Sequence, residues 1–300
     1  MGFVPPKAAS AALGFALSAA LLAQTSHPSI PSRVSEEAEV LQQNAARLLT
    51  QETLVQRSLL PPLRFHPRAG SDAERTVGPR FRIREVISEF TFATLHDSPN
   101  LVEFRQVLSI DGQTQQSANT ALHTLTNTIR QTDDRSRKRM LEQFARTGLV
   151  DIATDYALIL LVFTSRSQKL LDFSPSLPGY IGADPAISLT WKQKSAQGGV
   201  VEFHGSQSSH RALQGTLWLR ASDGLPLRVS AWIEYTDAAT RLIRDEATVD
   251  YLMSEHGFLT PASVVHHHLV NGAVMTENLY RYQPFKFFST SSTVTFGSPK

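Results

Sequence analysis

The sequence predicts an α+β fold, one long antiparallel β-sheet with helices inserted between its early and late strands. Two observations near the C-terminal end carry the sheet. Leu225, Leu227, Val229, Ala231, Ile233 and Tyr235 share one face of a strand whose other face holds Arg228, Ser230 and Glu234, the period of two that buries one side and wets the other. Asn271-Gly272 is a strong hairpin signal, because a type I′ turn needs positive φ at both central residues. A third observation supplies helices: from Ala118 to Thr147 the apolar residues Ala121, Leu122, Leu125 and Ile129, then Met140, Leu141 and Phe144, recur at helical spacing.

At the N-terminus, Lys7 precedes an apolar run from Ala11 to Ala23. The run is too short to span a bilayer comfortably and small residues follow it, so residues 1–25 read as a secretory signal peptide and the mature protein as periplasmic or secreted. No other segment is long enough to cross a membrane. The 300 residues include no cysteine. That excludes disulfides, a thiolate nucleophile and a lipidated Cys, and leaves a hydrophobic core to supply stability. Net charge is +2, with no Lys/Arg stripe interleaved with aromatics, which argues against a nucleic-acid partner. The basic run Arg135–Arg139 reads as a solvated helix face.

Residues 26–80 read as a helix and a flexible loop. Ser35-Glu36-Glu37 looks like an N-cap with first-turn acids, and Val40, Leu41, Ala45, Leu48 and Leu49 repeat at helical spacing. The pattern decays over Thr50 to Arg57, Pro61-Pro62 ends it, and Arg64 to Pro79 is loop-like. A single sheet domain follows over 81–290, with its helical insertion at about 118–163. Phe81 to Leu95 and Leu101 to Ile110 are its first strands, joined by turn residues His96 to Asn100. Tyr156 to Phe163 is apolar without alternation and is assigned to a buried helical turn. Strand patterns resume at Gln168 to Phe173, Ala186 to Lys192, Val200 to His204 and Leu213 to Arg220.

Hairpin geometry then sets a register. A five-residue loop at Thr236 to Thr240 pairs Ile233 with Ile243, Ala231 with Asp245 and Val229 with Ala247. A turn at Ser254 to Gly257 pairs Asp245 with His266, and the Asn-Gly hairpin pairs His266 with Glu277. One row reads Asp245, His266, Glu277, with His268 on the same face.

Enzyme signatures are missing: no G-x-S-x-G elbow, H-E-x-x-H helix, phosphate loop or dinucleotide fingerprint occurs. Their absence lowers the case for an enzyme without closing it, and favours a non-catalytic protein without a cofactor. A metal-binding protein or metal-dependent enzyme is the alternative, with zinc held by His266 and His268, about 7 Å apart along one strand face, Glu277 or Asp245 as third ligand and water as fourth. Against it stands the plainer reading of histidines paired with Asp245 and Glu277. The apolar face Leu227, Val229, Ile233, Val249, Val264 and Leu279 is either core under the helices or the wall of a binding cavity, with Asp245, His266 and Glu277 as polar anchors.

A Gly-x-Leu-x-Leu strand (Gly215 to Leu219), a Ser-Asp-Gly-Leu-Pro-Leu-Arg turn (Ser222 to Arg228), a Thr-Val-Asp-Tyr strand end (Thr248 to Tyr251) and Gly-Phe-Leu-Thr-Pro (Gly257 to Pro261) come in succession. Together they resemble the last strands of periplasmic lipoprotein carriers of the LolA/LolB-like half-barrel type, and of exported bacterial proteins with a similar meander. The resemblance implies a strongly bent sheet whose concave apolar face, partly covered by helices, holds lipid or acyl chains. It brings no catalytic residues. The expected partner is a lipid or other apolar small molecule, with envelope proteins as a second class. An interaction or sensor module with a filled core is the remaining alternative.

Overall fold

The structure is a computed structural model describing residues 31–61, 78–94, 101–130, 134–152, 154–174, 177–195, 200–204 and 207–288. The predicted signal peptide, residues 64–77 of the loop predicted over Arg64 to Pro79 and the turn His96 to Asn100 lie outside them, as do the side chains of Leu141 and Phe144.

The strands, in chain order, are β1 (Leu48–Leu59), β2 (Phe81–Thr94), β3 (Leu101–Ile110), β4 (Gln113–Thr114), β5 (Leu171–Ser174), β6 (Pro178–Ile181), β7 (Asp184–Gln193), β8 (Val200–His204), β9 (Gln207–Arg211), β10 (Gln214–Arg220), β11 (Pro226–Thr236), β12 (Leu242–Met253), β13 (Leu259–Val270), β14 (Ala273–Tyr282) and β15 (Lys286–Phe287). Helices are α1 (Ser32–Asn44), α2 (Ala118–Arg130), α3 (Asp134–Arg146) and α4 (Ser165–Gln168), with a 3-10 stretch over Tyr156–Phe163. Thirteen strands form one open, curved antiparallel sheet whose main path runs β4-β3-β2-β1-β14-β13-β12-β11-β10-β7-β5, while β8 and β9 pair separately. The fold is therefore the α+β curved sheet that the meander and the resemblance predict.

One strand overturns the predicted boundary at residue 80. Where the helical pattern decays, the chain forms β1, which lies between β2 and β14 and closes the late meander onto the early strands. Its inward face reads Thr50, Glu52, Leu54, Gln56 and Ser58, all buried and four of the five polar. Alternation of hydrophobicity is thus missing from a strand that alternates in burial. The helix before it also starts earlier than predicted, at Ser32 after Pro31, and Ser35 does not cap it.

The meander keeps its predicted faces but slides. Ile233 pairs with Asp245, Ala231 with Ala247 and Val229 with Val249, two residues from the predicted register. The reason is the loop: Asp237 accepts hydrogen bonds from the backbone N–H groups of Ala239 and Arg241, and its own N–H donates to the Arg241 carbonyl. The five-residue turn therefore begins at Asp237. Between β13 and β14 the Asn271-Gly272 turn forms as predicted, with φ of 50° and 79°. A bulge beyond it leaves Met275 unpaired, so His266 meets Asn278 and His268 meets Thr276. That single extra residue sends Leu279 and Glu277 to the opposite face. A second bulge between β10 and β11 leaves Leu227 unpaired, with Pro226 buried in its place and Leu227 only half-buried.

The inner face carries one continuous apolar row: Val86, Leu54, Tyr280, Val264, Val249, Val229, Leu217 and Leu189, each paired with its neighbour across seven strand junctions. All are buried. The 3-10 stretch packs on β3, β11, β12 and β13, and α1 packs on that stretch and on β13. The pair α2 and α3 packs on β2 and β3, with Ala121, Leu125 and Met140 buried.

Gly215 sits where β10 and β11 come closest, paired with Ala231 and with Trp191 on β7. A Cβ there would lie 1.9 Å from the Ser230 carbonyl oxygen. Gly215→Ala should cost at least about 3 kcal/mol, since neither partner strand can move without breaking its ladder; urea unfolding followed by circular dichroism measures it.

Candidate functional site

Two polar clusters interrupt the apolar inner face, and both are supplied by the strand that hydropathy concealed. The first is a chain of directed hydrogen bonds. Gln56 Oε1 accepts from Val150 N at 3.0 Å, while Gln56 Nε2 donates to the Val150 carbonyl and to Asn278 Oδ1, each at 2.7 Å. Asn278 Nδ2 then donates to the Asp151 carbonyl at 2.9 Å and to His266 Nδ1 at 3.1 Å. An acceptor at Nδ1 fixes the proton of a neutral His266 on Nε2, which lies 3.4 Å from Asp245 Oδ1. His268 Nδ1 reaches the same oxygen at 2.7 Å. Thr276 completes the cluster by donating to Asp151 Oδ2 at 2.8 Å. Burial alone would raise the Asp245 pKa, but the hydrogen bonds from both histidines outweigh it and hold the carboxyl well below the usual range.

The second cluster is charged. Arg105 binds both oxygens of Glu52, through Nε at 2.7 Å and Nη2 at 2.8 Å, and Nη2 also meets Glu103 at 2.7 Å. All three side chains are at most 2% exposed. The guanidinium lies 4.8 Å from the Phe90 ring and 5.4 Å from that of Tyr280. Burial works against its charge, yet Glu52 and Glu103 hold its pKa well above the ordinary value. Burial also pushes the Glu52 pKa up, against the pull of Arg105. Glu103 Oε1 accepts from Ala157 N at 2.9 Å, and Glu103 N donates to Asp155 Oδ1 at 3.0 Å. The cluster thereby clamps the start of the 3-10 stretch. Its middle is held by the Tyr251 hydroxyl, which accepts from Leu160 N at 3.1 Å and donates to the Ala157 carbonyl at 3.2 Å.

Of the residues singled out from sequence, Val229, Ile233, Val249 and Val264 lie together on the inner face, joined by Asp245, His266 and His268 at one end of it. Leu227 and Leu279 fall out of the row for the reasons above. Glu277 points outward and lies 3.1 Å from His267 Nε2, with Glu246 3.4 Å from His267 Nδ1. The set His266, His268, Glu277 is therefore not assembled, and among the described residues no group of three metal-ligating side chains is in place to hold an ion. Trp191 is buried against Phe163, while Trp232 is on the outer face under Arg244. Sequence reasoning missed Gln56, Asn278, Glu52, Glu103 and Arg105. The one available signal was Glu103-Phe104-Arg105, opposite charges two apart on one face of a strand whose other face carries Val102, Phe104 and Leu108.

No family model matches the chain, and no curated protein matches it in sequence. Three solved structures are similar in backbone. A LolA superfamily protein from Nitrosomonas europaea aligns with a TM-score of 0.32 at 9% identity, over 87% of this chain and 95% of that one. A DUF1329 family protein from Desulfovibrio piger aligns with a TM-score of 0.31 at 9% identity, over 86% of this chain and 94% of that one. MucB, solved in complex with MucA(peri), aligns with a TM-score of 0.18 at 12% identity, over 85% of this chain and 99% of that one.

Asp245→Asn should destabilise the protein by about 1–3 kcal/mol at pH 6, because two largely buried imidazoles lose a charged acceptor. The depressed pKa gives the sign of the pH dependence: stability from Asp245 is complete above the ordinary aspartate value and is lost as pH falls through the folded value. The gap between wild type and variant, read from urea midpoints, should narrow between pH 6 and pH ~2.5. Arg105→Met leaves two carboxylates buried without a cation and should cost about 3–5 kcal/mol in the same assay at pH 7.

Proposed function

We propose that this protein is an exported, non-catalytic binding protein for a lipid or another apolar ligand, taken up between the inner face of the sheet and the stretch Tyr156–Phe163. The observation that carries the reading is the form of that stretch. Tyr-Ala-Leu-Ile-Leu-Leu-Val-Phe is a continuous apolar run held as an eight-residue 3-10 helix, whereas such helices rarely exceed three or four residues because their hydrogen bonds are poorly aligned. Its terminal bonds, Leu158 N to the Asp155 carbonyl and Thr164 N to the Leu161 carbonyl, are both 3.3 Å. Asp151 and Asp155, at φ of 47° and 69°, put two left-handed residues just ahead of it.

An apolar row that crosses eight strands is thus covered over β11, β12 and β13 by a segment whose own local structure is weak. Segments of that kind open at lower free energy than the sheet beneath them, and the wall they uncover is the apolar surface with scattered polar groups that ligand sites use. The apolar leader at residues 11–23 supports an exported protein. No helix among the described residues is long and apolar enough to cross a membrane.

A fluorescent C18 acyl probe, titrated into the delipidated full-length mature chain, tests the reading. Wild type should bind with saturation. Tyr251→Phe removes both hydrogen bonds to the stretch and raises the population of the open form, so its apparent affinity should rise by roughly fivefold or more. No saturable binding by either protein would overturn the proposal and leave a filled-core interaction module.

A further inference from the structure

Of the buried polar atoms on the inner face that lack a partner, Trp191 Nε1 stands apart on β7, and three others lie together. Ser88 Oγ, Arg105 Nη1 and Tyr282 Oη have no hydrogen-bond partner among the described residues. They are neighbours. Glu52 on β1 pairs with Ser88 on one side and with Tyr282 on the other, and Arg105 grips the same Glu52 carboxylate. The Tyr282 hydroxyl lies close enough to the Glu52 carboxylate to help lower its pKa, but makes no hydrogen bond of good geometry there. Native interiors rarely leave one such atom unsatisfied, and three around one carboxylate mark a place for a missing partner.

The chemistry of that partner follows from the inventory of donors and charges. A guanidinium N–H can only donate, and the two hydroxyls have protons to give, so the site lacks an acceptor. It does not lack negative charge: Glu52 and Glu103 face a single guanidinium. An anionic headgroup would bring a further negative charge into a low-dielectric site. A neutral carbonyl, ester or hydroxyl oxygen accepts without that penalty. The surroundings suit an attached hydrocarbon chain. Phe90 lies 5.0 Å from both Phe92 and Tyr282, and Phe285 lies 5.9 Å from Phe92 and 5.7 Å from Tyr282. Tyr282 is itself only half-buried, so the cluster sits one ring's depth from solvent.

We propose that Ser88, Arg105 and Tyr282 bind the neutral oxygen headgroup of the apolar ligand, so that the protein selects uncharged oxygen-bearing lipids over free fatty acids. The inference rests on the apolar-ligand reading and adds to it the headgroup class. Its test uses the full-length mature chain, the fluorescent acyl probe, and two competitors with the same chain, monoolein and oleate, at pH 8. Wild type should prefer monoolein by about tenfold, the worth of one to two neutral hydrogen bonds. The double variant Ser88→Ala/Tyr282→Phe, and Tyr282→Phe alone as a milder change, should lose that preference and leave oleate unchanged. Melting curves check that both variants stay folded at the assay temperature. Unchanged monoolein affinity in the double variant, or a wild-type preference for oleate, would overturn this inference and leave the apolar-ligand reading standing. Failure of the acyl probe and both competitors to bind wild type would overturn that reading, and the inference with it.

Discussion

Arg105 is the joint on which the inner face depends. Its guanidinium holds Glu52 of β1 and Glu103 of β3, and Glu103 holds the backbone of Ala157 where the 3-10 stretch begins. One residue therefore ties together three segments distant in sequence: the strand that closes the sheet, a strand near its edge, and the cover over its apolar row. A buried ion pair of this kind adds little net stability, because desolvation consumes most of the Coulombic gain. What it adds is dependence. With either carboxylate misplaced, a charge is left stranded in the core, so β1 cannot slip by two residues against its neighbours although little in its hydropathy would prevent it.

The amide cluster does the same work at the other end of the face. Gln56 and Asn278 form a run of amide hydrogen bonds whose directions are set at both ends, by the backbone of Val150 and by His266 against Asp245. Each group has a partner, so the network is cooperative rather than costly. It fastens Val150 and Asp151, the approach to the 3-10 stretch, as firmly as Glu103 fastens its start. Beyond these fastenings the covering residues are apolar and are held to the sheet by packing and by the Tyr251 hydroxyl.

Much of this was legible in the sequence, and the gaps have physical causes. The late strands announce themselves because one face is apolar and the other wet; Asn271-Gly272 announces its turn because few other pairs adopt that backbone. Register was not legible. It depends on Asp237 capping its own loop and on bulges at Leu227 and Met275, and a bulge leaves no mark in a pattern of hydrophobicity. Strand β1 was hidden for a deeper reason. Periodicity finds strands by the contrast between an oily and a polar face, and Glu52, Gln56 and Ser58 are polar residues turned inward. The residues that make the site are the ones that erased the signal of the strand carrying them. The same holds for Glu103 and Arg105, which look like a solvent-facing pair until the other face of β3 proves to be buried as well.

A cover that is also core sets the terms on which it can leave. Lifting of Tyr156–Phe163 would expose both its apolar side chains and the row beneath them, at a cost that grows with that area unless something else fills the face. A hydrocarbon chain in its place restores most of the burial and costs little further ordering of the sheet. The polar anchors behave differently. Ala157 N and Leu160 N exchange Glu103 and Tyr251 for water at modest cost, but Glu103 then keeps only Arg105 and the backbone Glu103 N–Asp155 tie is strained or lost. Opening is thus disfavoured mainly by apolar area, which a lipid can replace, and secondarily by a few hydrogen bonds, which water can replace on the cover but not in the core. The side of the face left short of partners is the Arg105 side, and that asymmetry is what would orient a ligand there, with its oxygen at the charged cluster and its chain along Leu54, Val264, Val249 and Val229.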